Sequence, residues 1–226
     1  MTVPSELAQA HNRVVPALKQ LRTKCDPLLR GVARSVGGRY LPGRIKPVES
    51  VLLKIEKDGP AEPFQKIDDL LAATIVVPNS TLIPQVEEKT SALFEIVKRV
   101  PPRTKTPEQF VYDDRHLILK LRQEPGREDP ELASIRFELQ IKTEMQAAAS
   151  ALSRELEYKT RWLSWTKARL ASCIRALVEM VDDLLARLVE SAEDAEAPSG
   201  ERYEMFANRN RIIEILEQTL APEQIL

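Results

Sequence analysis

The sequence predicts an α/β protein of the α+β kind, with a mixed, mostly antiparallel sheet of about five strands flanked by helices and extended by helices at both ends. Three features predict it. Apolar residues recur at helical spacing throughout residues 4 to 36 and again over 170 to 188. A continuous β-branched run, LLAATIVV, occupies residues 70 to 77. The segment IRFELQIK alternates apolar and polar residues without a break.

In order, Leu7, Val14, Leu18, Leu21, Cys25, Leu28, Leu29 and Val32 make the first segment one long or two short amphipathic helices, stopped by Gly37-Gly38. After GRYLPGRIK, Pro47 suits a first helical turn, and Val48, Val51, Leu52 and Ile55 form its apolar stripe. The run at 70 to 77, bounded by Asp68-Asp69 and Pro78-Asn79, reads as a buried strand. Residues 81 to 93 read as a helix and Phe94 to Val100 as a further strand. From Tyr112 onward the chain reads as a strand with His116, Ile118, Lys120 and Arg122 on one face and leucines on the other. The IRFELQIK strand turns Ile135, Phe137, Leu139 and Ile141 inward and presents Arg136, Glu138, Gln140 and Lys142 together. A turn at 128 to 130 makes these two strands an antiparallel hairpin. Helices follow at 144 to 160, 170 to 188 and about 203 to 219, with an acidic linker at 191 to 200.

A chain of 226 residues suits one domain, read as N-terminal helices (1–38), a catalytic core (39–160) and C-terminal helices (161–226). Lysine and arginine total 33 against 34 acids, so no overall field draws the protein to nucleic acid or anionic lipid. No apolar run reaches the roughly 20 residues a membrane helix needs, which places the protein in the cytoplasm. Cys25 and Cys173 lack ligand spacing, and two histidines are too few for a His-rich metal site or an HD-type phosphohydrolase.

Arg44 and Lys46 precede a helix N-terminus, with Ser50 and Lys54 sharing one face of that helix, so cations and free N–H groups converge on a polyphosphate. Standing alone, the segment is more simply a solvated basic helix. Asp69 and Glu138 supply the oxygen ligands magnesium prefers, or else a strand-end acid and a cross-strand ion pair with Lys120 or Lys142. Tyr112 suits base stacking and His116 phosphate or ribose binding, although each taken singly is more often structural.

Read in order, GRIKPVES, IDDLLAATIVV, VYDDRHLILKL, FELQIKT and LSRELEYK resemble the successive motifs of the RelA/SpoT-type alarmone synthetase domain over residues 43 to 159. The flanking helices resemble those of the small single-domain synthetases, which have no hydrolase domain. The resemblance implies a nucleotidyltransferase-like synthetase fold and ATP-dependent pyrophosphate transfer to the 3′-hydroxyl of GDP or GTP. It implies Arg44, Lys46, Ser50 and Lys54 as the ATP site, and Asp69 and Glu138 as catalytic Mg2+ ligands. On the acceptor side it implies Tyr112, His116, Lys120, Gln140 and Lys142, with Thr143 completing the glutamate motif. The chain departs from the family pattern at Val111, Asp113, Asp114, Thr74 and Arg154, where the family carries glycine, a basic residue, serine, arginine and histidine.

The acceptor stays open. An adenine nucleotide or the 3′ end of tRNA is the alternative, the latter along Lys98, Arg99, Arg103 and Lys105. A third reading is a catalytically weak nucleotide-binding protein that assembles through its terminal helices. Homo-oligomerisation fits each of these readings, with packing of the same helices on the sheet as the simpler account.

Overall fold

In the computed structural model, the described residues are 3–59, 63–101, 114–122, 130–158, 165–193, 211–212 and 214–215. The chain divides into two compact units, Met1–Ala186 and Arg187–Leu226, and the first contains the sheet. Most of the terminal helix expected at 203 to 219 lies outside the described residues.

The N-terminal periodicity forms one helix, α1 (Ser5–Ser35), which continues through Pro16 and Pro27 and buries Leu18, Leu21, Cys25, Leu29 and Val32. It ends where Gly37 takes a left-handed φ of 67°, and the N–H of Gly38 closes onto the carbonyl of Ala33 at 2.8 Å. Gly38 must be glycine because a Cβ there would lie 2.6 Å from the backbone oxygen of Val76.

The strand β1 (Arg39–Ile45) was not foreseen as a strand. Pro42 and Gly43 inside it are strand breakers, and they are tolerated because β1 is an edge strand whose register shifts between Leu41 and Arg44. α1 holds it in place. The Tyr40 hydroxyl donates to Asp26 Oδ1 at 2.6 Å, and Arg22 reaches the Gly43 carbonyl at 3.4 Å.

Then come α2 (Val48–Asp58), the short α3 (Pro63–Lys66), β2 (Leu71–Val77), a 3-10 turn, α4 (Ile83–Leu93), β3 (Phe94–Val100), β4 (Arg115–Leu121), the short α5 (Pro130–Ser134), β5 (Phe137–Thr143), α6 (Glu144–Tyr158) and α7 (Trp165–Glu193). The sheet order is β1-β2-β5-β4-β3. The β2–β5 pairing is parallel and the other three are antiparallel, giving the mixed, mostly antiparallel five-stranded sheet expected.

One sheet face is the core. Leu71, Ala73, Ile75, Leu117, Leu119, Phe137, Leu139 and Ile141 pack with the α1 leucines, and Phe94 meets Phe137 edge-on with ring centroids 5.6 Å apart. Because side chains alternate along each strand, burying this row obliges the other face to carry Glu138, Gln140, Lys142 and His116.

The step from β5 into α6 is a capping box. Thr143 Oγ1 accepts from the Gln146 N–H at 3.0 Å while Gln146 Oε1 accepts from the Thr143 N–H at 3.1 Å. The same Thr143 hydroxyl donates to Asp182 Oδ2 of α7 at 2.8 Å. Asp182 is buried, and Oδ1 finds no partner among the described residues. Burial raises its carboxyl above the ordinary value despite the Thr143 bond, with Asp183 adding to the rise. The native state then holds the Asp182 proton more tightly than the unfolded chain, so this group erodes stability as pH climbs past its unfolded value. Asp182→Asn is accordingly expected to melt above the wild type at pH 8, with the difference closing as pH falls toward 4. Thermal unfolding at both pH values checks this.

Candidate active site

Two rows of cross-strand partners define the polar face. Arg44, Ala72, Glu138 and Ile118 lie opposite one another across β1, β2, β5 and β4, and Thr74, Gln140 and His116 form the next row. Asp69 precedes β2, so the parallel β2–β5 pairing sets it beside the strand that carries Glu138. The two carboxylates are close enough that the charge of Asp69 acts on Glu138.

At the donor side, Asp69 is the common partner of two lysines. Lys46 Nζ bonds Oδ2, and Lys54 Nζ bonds Oδ1 at 2.9 Å. Burial pushes the Asp69 carboxyl up, but the hydrogen bonds and charges of Lys46 and Lys54 outweigh it and hold it below the usual carboxylate range. Lys46 reaches the cluster because its backbone is fixed twice. Its N–H donates to the Leu70 carbonyl at 2.8 Å, and its own carbonyl lies 2.9 Å from His11 Nε2. Lys54 stands one turn beyond Ser50 on α2, whose N-terminus faces the end of β1.

At the other side, His116 bridges two carboxylates. Nδ1 donates to Glu138 Oε1 at 2.6 Å, and Nε2 lies 2.9 Å from Asp114 Oδ2 as an ion pair without the alignment of a hydrogen bond. Lys142 Nζ reaches the same Asp114 oxygen at 3.0 Å, and Gln140 Nε2 donates to Glu138 Oε2 at 3.0 Å. Burial lowers the pKa of the His116 ring, but Asp114 and Glu138 together raise it to about 9, so the ring is an imidazolium at neutral pH. Burial likewise raises Glu138 and Asp114, and the partners win in both cases. His116 and Gln140 hold Glu138 low, and His116 with Lys142 holds Asp114 low.

Asp69, Lys46 and Lys54 therefore converge, as do Glu138, His116, Gln140 and Lys142. Arg44 is exposed on β1 and Ser50 half-buried on α2, flanking the donor cluster. Lys120 shares the polar face of β4 but lies opposite Glu95 of β3, two residues beyond the Ile118–Glu138 pair. The ion-pair partner of Glu138 from β4 is His116, diagonal to it in the register, whereas Lys142 pairs with Asp114. Tyr112, Asp113, Arg103, Lys105 and the side chain of Arg154 lie outside what the structure describes. His11 was not singled out from sequence, although it falls on the apolar stripe between Leu7 and Val14.

The family described as the region found in RelA / SpoT proteins matches residues 43–162, more than half of the chain. No curated protein matches the sequence. Among solved structures, small alarmone synthetase 1 from Bacillus subtilis superposes with a TM-score of 0.65 at 18% identity, over 81% of this chain and 98% of that one. A GTP pyrophosphokinase family protein from Streptococcus pneumoniae gives 0.61 at 16% identity, over 86% of this chain and 97% of that one. Small alarmone synthetase 2 from Bacillus subtilis gives 0.59 at 17% identity, over 81% and 98%. These likenesses establish the fold, and the matched segment contains both carboxylates and all the cations that surround them: the chain belongs to the RelA/SpoT family.

Proposed function

We propose that this protein transfers the β,γ-pyrophosphoryl group of ATP to the 3′-hydroxyl of GDP or GTP, releasing AMP. The observation that carries the reading is the clustering of Lys46 and Lys54 on Asp69, next to Glu138, on the polar face of a RelA/SpoT-family sheet. Bacillus subtilis small alarmone synthetase 1 has been crystallised with its product pppGpp and with AMPCPP, which supports nucleotides as the ligands of this fold.

In this reading Arg44, Lys46, Ser50 and Lys54 hold the triphosphate, with the lysines exchanging part of their bonding from Asp69 to phosphate oxygens. The acceptor 3′-oxygen forms a bond to the β-phosphorus as the bond from that phosphorus to the α,β-bridging oxygen breaks. AMP leaves with that oxygen, and Glu138 accepts the hydroxyl proton. Because His116 and Gln140 occupy one lone pair on each Glu138 oxygen, the carboxylate is fixed in orientation before substrate arrives. Two partly buried carboxylates, both held below the usual carboxylate range and near enough for the charge of one to act on the other, fit a magnesium ion, which prefers few protein oxygens and keeps its other positions for water and phosphate. Mg2+ on Asp69 and Glu138 would neutralise charge developing on the phosphates.

The test is incubation with Mg2+ and labelled ATP against GDP, GTP, ADP and deacylated tRNA in separate reactions. Pyrophosphate on a guanine nucleotide with equal AMP release supports the reading, and ATP turnover with no labelled guanine product refutes it. Asp114 beside His116 favours a second reading, in which an adenine nucleotide or a tRNA 3′ end replaces the guanine nucleotide. The tRNA version requires binding that weakens steeply with salt. Of its basic track, Lys98 is exposed on β3 and Arg99 is already paired with Glu87 at 3.2 Å.

The protein is also proposed to be a homo-oligomer. On α7 the buried positions are small or polar, Ala171 and Asp182 with Val178, while Leu170, Leu177, Met180 and Leu184 stand exposed at a repeat of three and four residues. An apolar seam with that spacing is the pattern that pairs helices between chains. Leu177→Asp with Leu184→Asp is expected to halve or quarter the mass by light scattering without lowering helix content. A wild type that is already monomeric at micromolar concentration would end this proposal.

A further inference from the structure

A site meant to receive a phosphorylated acceptor needs cations whose charge is still unsatisfied. In this protein two acceptor-side side chains, His116 and Lys142, both address one oxygen of Asp114, at 2.9 and 3.0 Å. The cluster is largely buried, with the His116 side chain the most open of the four at 26%. The side chains of Asp114 and Lys142 are 14% and 12% exposed, and Glu138, which takes the other His116 nitrogen, is 11% exposed. One Asp114 oxygen is thus the shared partner of two acceptor-side side chains before any acceptor arrives.

Asp114 is also placed to do this by the backbone and not by a flexible reach. It lies two residues before His116, immediately ahead of β4, where extended backbone puts both side chains on the face that carries Glu138 and Gln140. The family pattern has serine at this position, and a serine hydroxyl adds no charge.

We propose that Asp114 is a specificity-determining residue: it stands as an internal anion where an acceptor phosphate would otherwise be held, and so selects the less highly phosphorylated guanosine acceptor. This rests on the pyrophosphate-transfer reading. Each added phosphate on the acceptor must compete with a carboxylate already seated on His116 and Lys142, at short range and away from water, where like charges repel strongly. The wild type is therefore expected to use GDP in preference to GTP. Removing the charge is expected to move that preference toward GTP.

The experiment compares kcat/KM for GDP and GTP in the wild type, Asp114→Ser, Asp114→Asn and Asp114→Glu, and in parallel the equilibrium binding of GMP, GDP and GTP to each. Asp114→Ser and Asp114→Asn are expected to shift the GTP/GDP ratio by about tenfold toward GTP in both measurements, and Asp114→Glu to keep the wild-type order. Since each variant is compared with itself, a general loss of folding or activity does not alter the ratio. An unchanged ratio in both neutral variants, or a shift toward GDP, overturns the proposal. Absence of transfer to either nucleotide refutes the pyrophosphate-transfer reading alone, because the binding ratios still decide the role of Asp114. If none of the three nucleotides binds, the proposal falls as well.

Discussion

Asp69→Asn and Glu138→Gln are each expected to lower pyrophosphate transfer by about a thousandfold, the scale seen when one preorganised charge is removed from an active site. The two losses have different physical origins. Asp69 fixes Lys46 and Lys54 at one point, so its neutral variant loses a carboxylate ligand and lets two donor-side cations relax apart. Glu138 is held by His116 and Gln140 on separate oxygens, so the amide keeps the shape of the site but loses both its negative charge and its capacity to take a proton. Asp69→Asn should also cost about 1–2 kcal/mol of stability, because the half-buried Lys46 loses its charged partner. Glu138→Gln leaves the protonated His116 with Asp114. Labelled product formation, with circular dichroism to verify folding, checks both. Turnover within tenfold of the wild type in either variant would reject the assignment of that carboxylate.

Phe137→Ala is expected to be the most damaging single change to the fold, costing about 3–5 kcal/mol. The ring is fully buried, meets Phe94 edge-on at 5.6 Å, and sits in the core row that β5 contributes beside Leu139 and Ile141. A cavity there strikes the strand that joins both halves of the sheet, since β5 pairs with β2 on one side and β4 on the other. It is also the residue immediately before Glu138, so any relaxation of β5 moves the carboxylate. The expected result is a fall in unfolding free energy with the denaturant slope preserved, accompanied by loss of activity well below the midpoint. A change under 1 kcal/mol in urea unfolding would mean that the core closes over the gap more readily than its packing implies.

Most strands and helices were legible because burial imposes a period. The alternation from Ile135 to Ile141 sorted every β5 residue onto its correct face, and the antiparallel β4–β5 pair was foreseen from the turn-like segment between the two strands, where the short helix α5 also stands. The edge strand β1 escaped because its sequence, with Pro42 and Gly43 at a bulge, has no period to read. It exists because β2 offers it a ladder and because Asp26 and Arg22 of α1 grip Tyr40 and Gly43. The helix α7 was legible as a helix but not in its orientation. Its large leucines are on the exposed side, and Ala171, Val178 and Asp182 face inward.

By itself the sequence determined which residues alternate, which carry charge, and which segments resemble the RelA/SpoT motifs, since these depend on neighbours a few positions apart. Which charges meet was decided only in three dimensions. Asp69 lies 15 and 23 residues from the lysines it binds, and Glu138 lies 22 from His116. The same holds for His11, which reaches 35 residues along the chain to fix the Lys46 carbonyl. Parallel pairing of β2 with β5 brings the two carboxylates together, and the start of β4 delivers Asp114 to His116 and Lys142. A charged side chain takes its partner from whatever the folded backbone sets within about 4 Å, and no local pattern in the sequence encodes that distance.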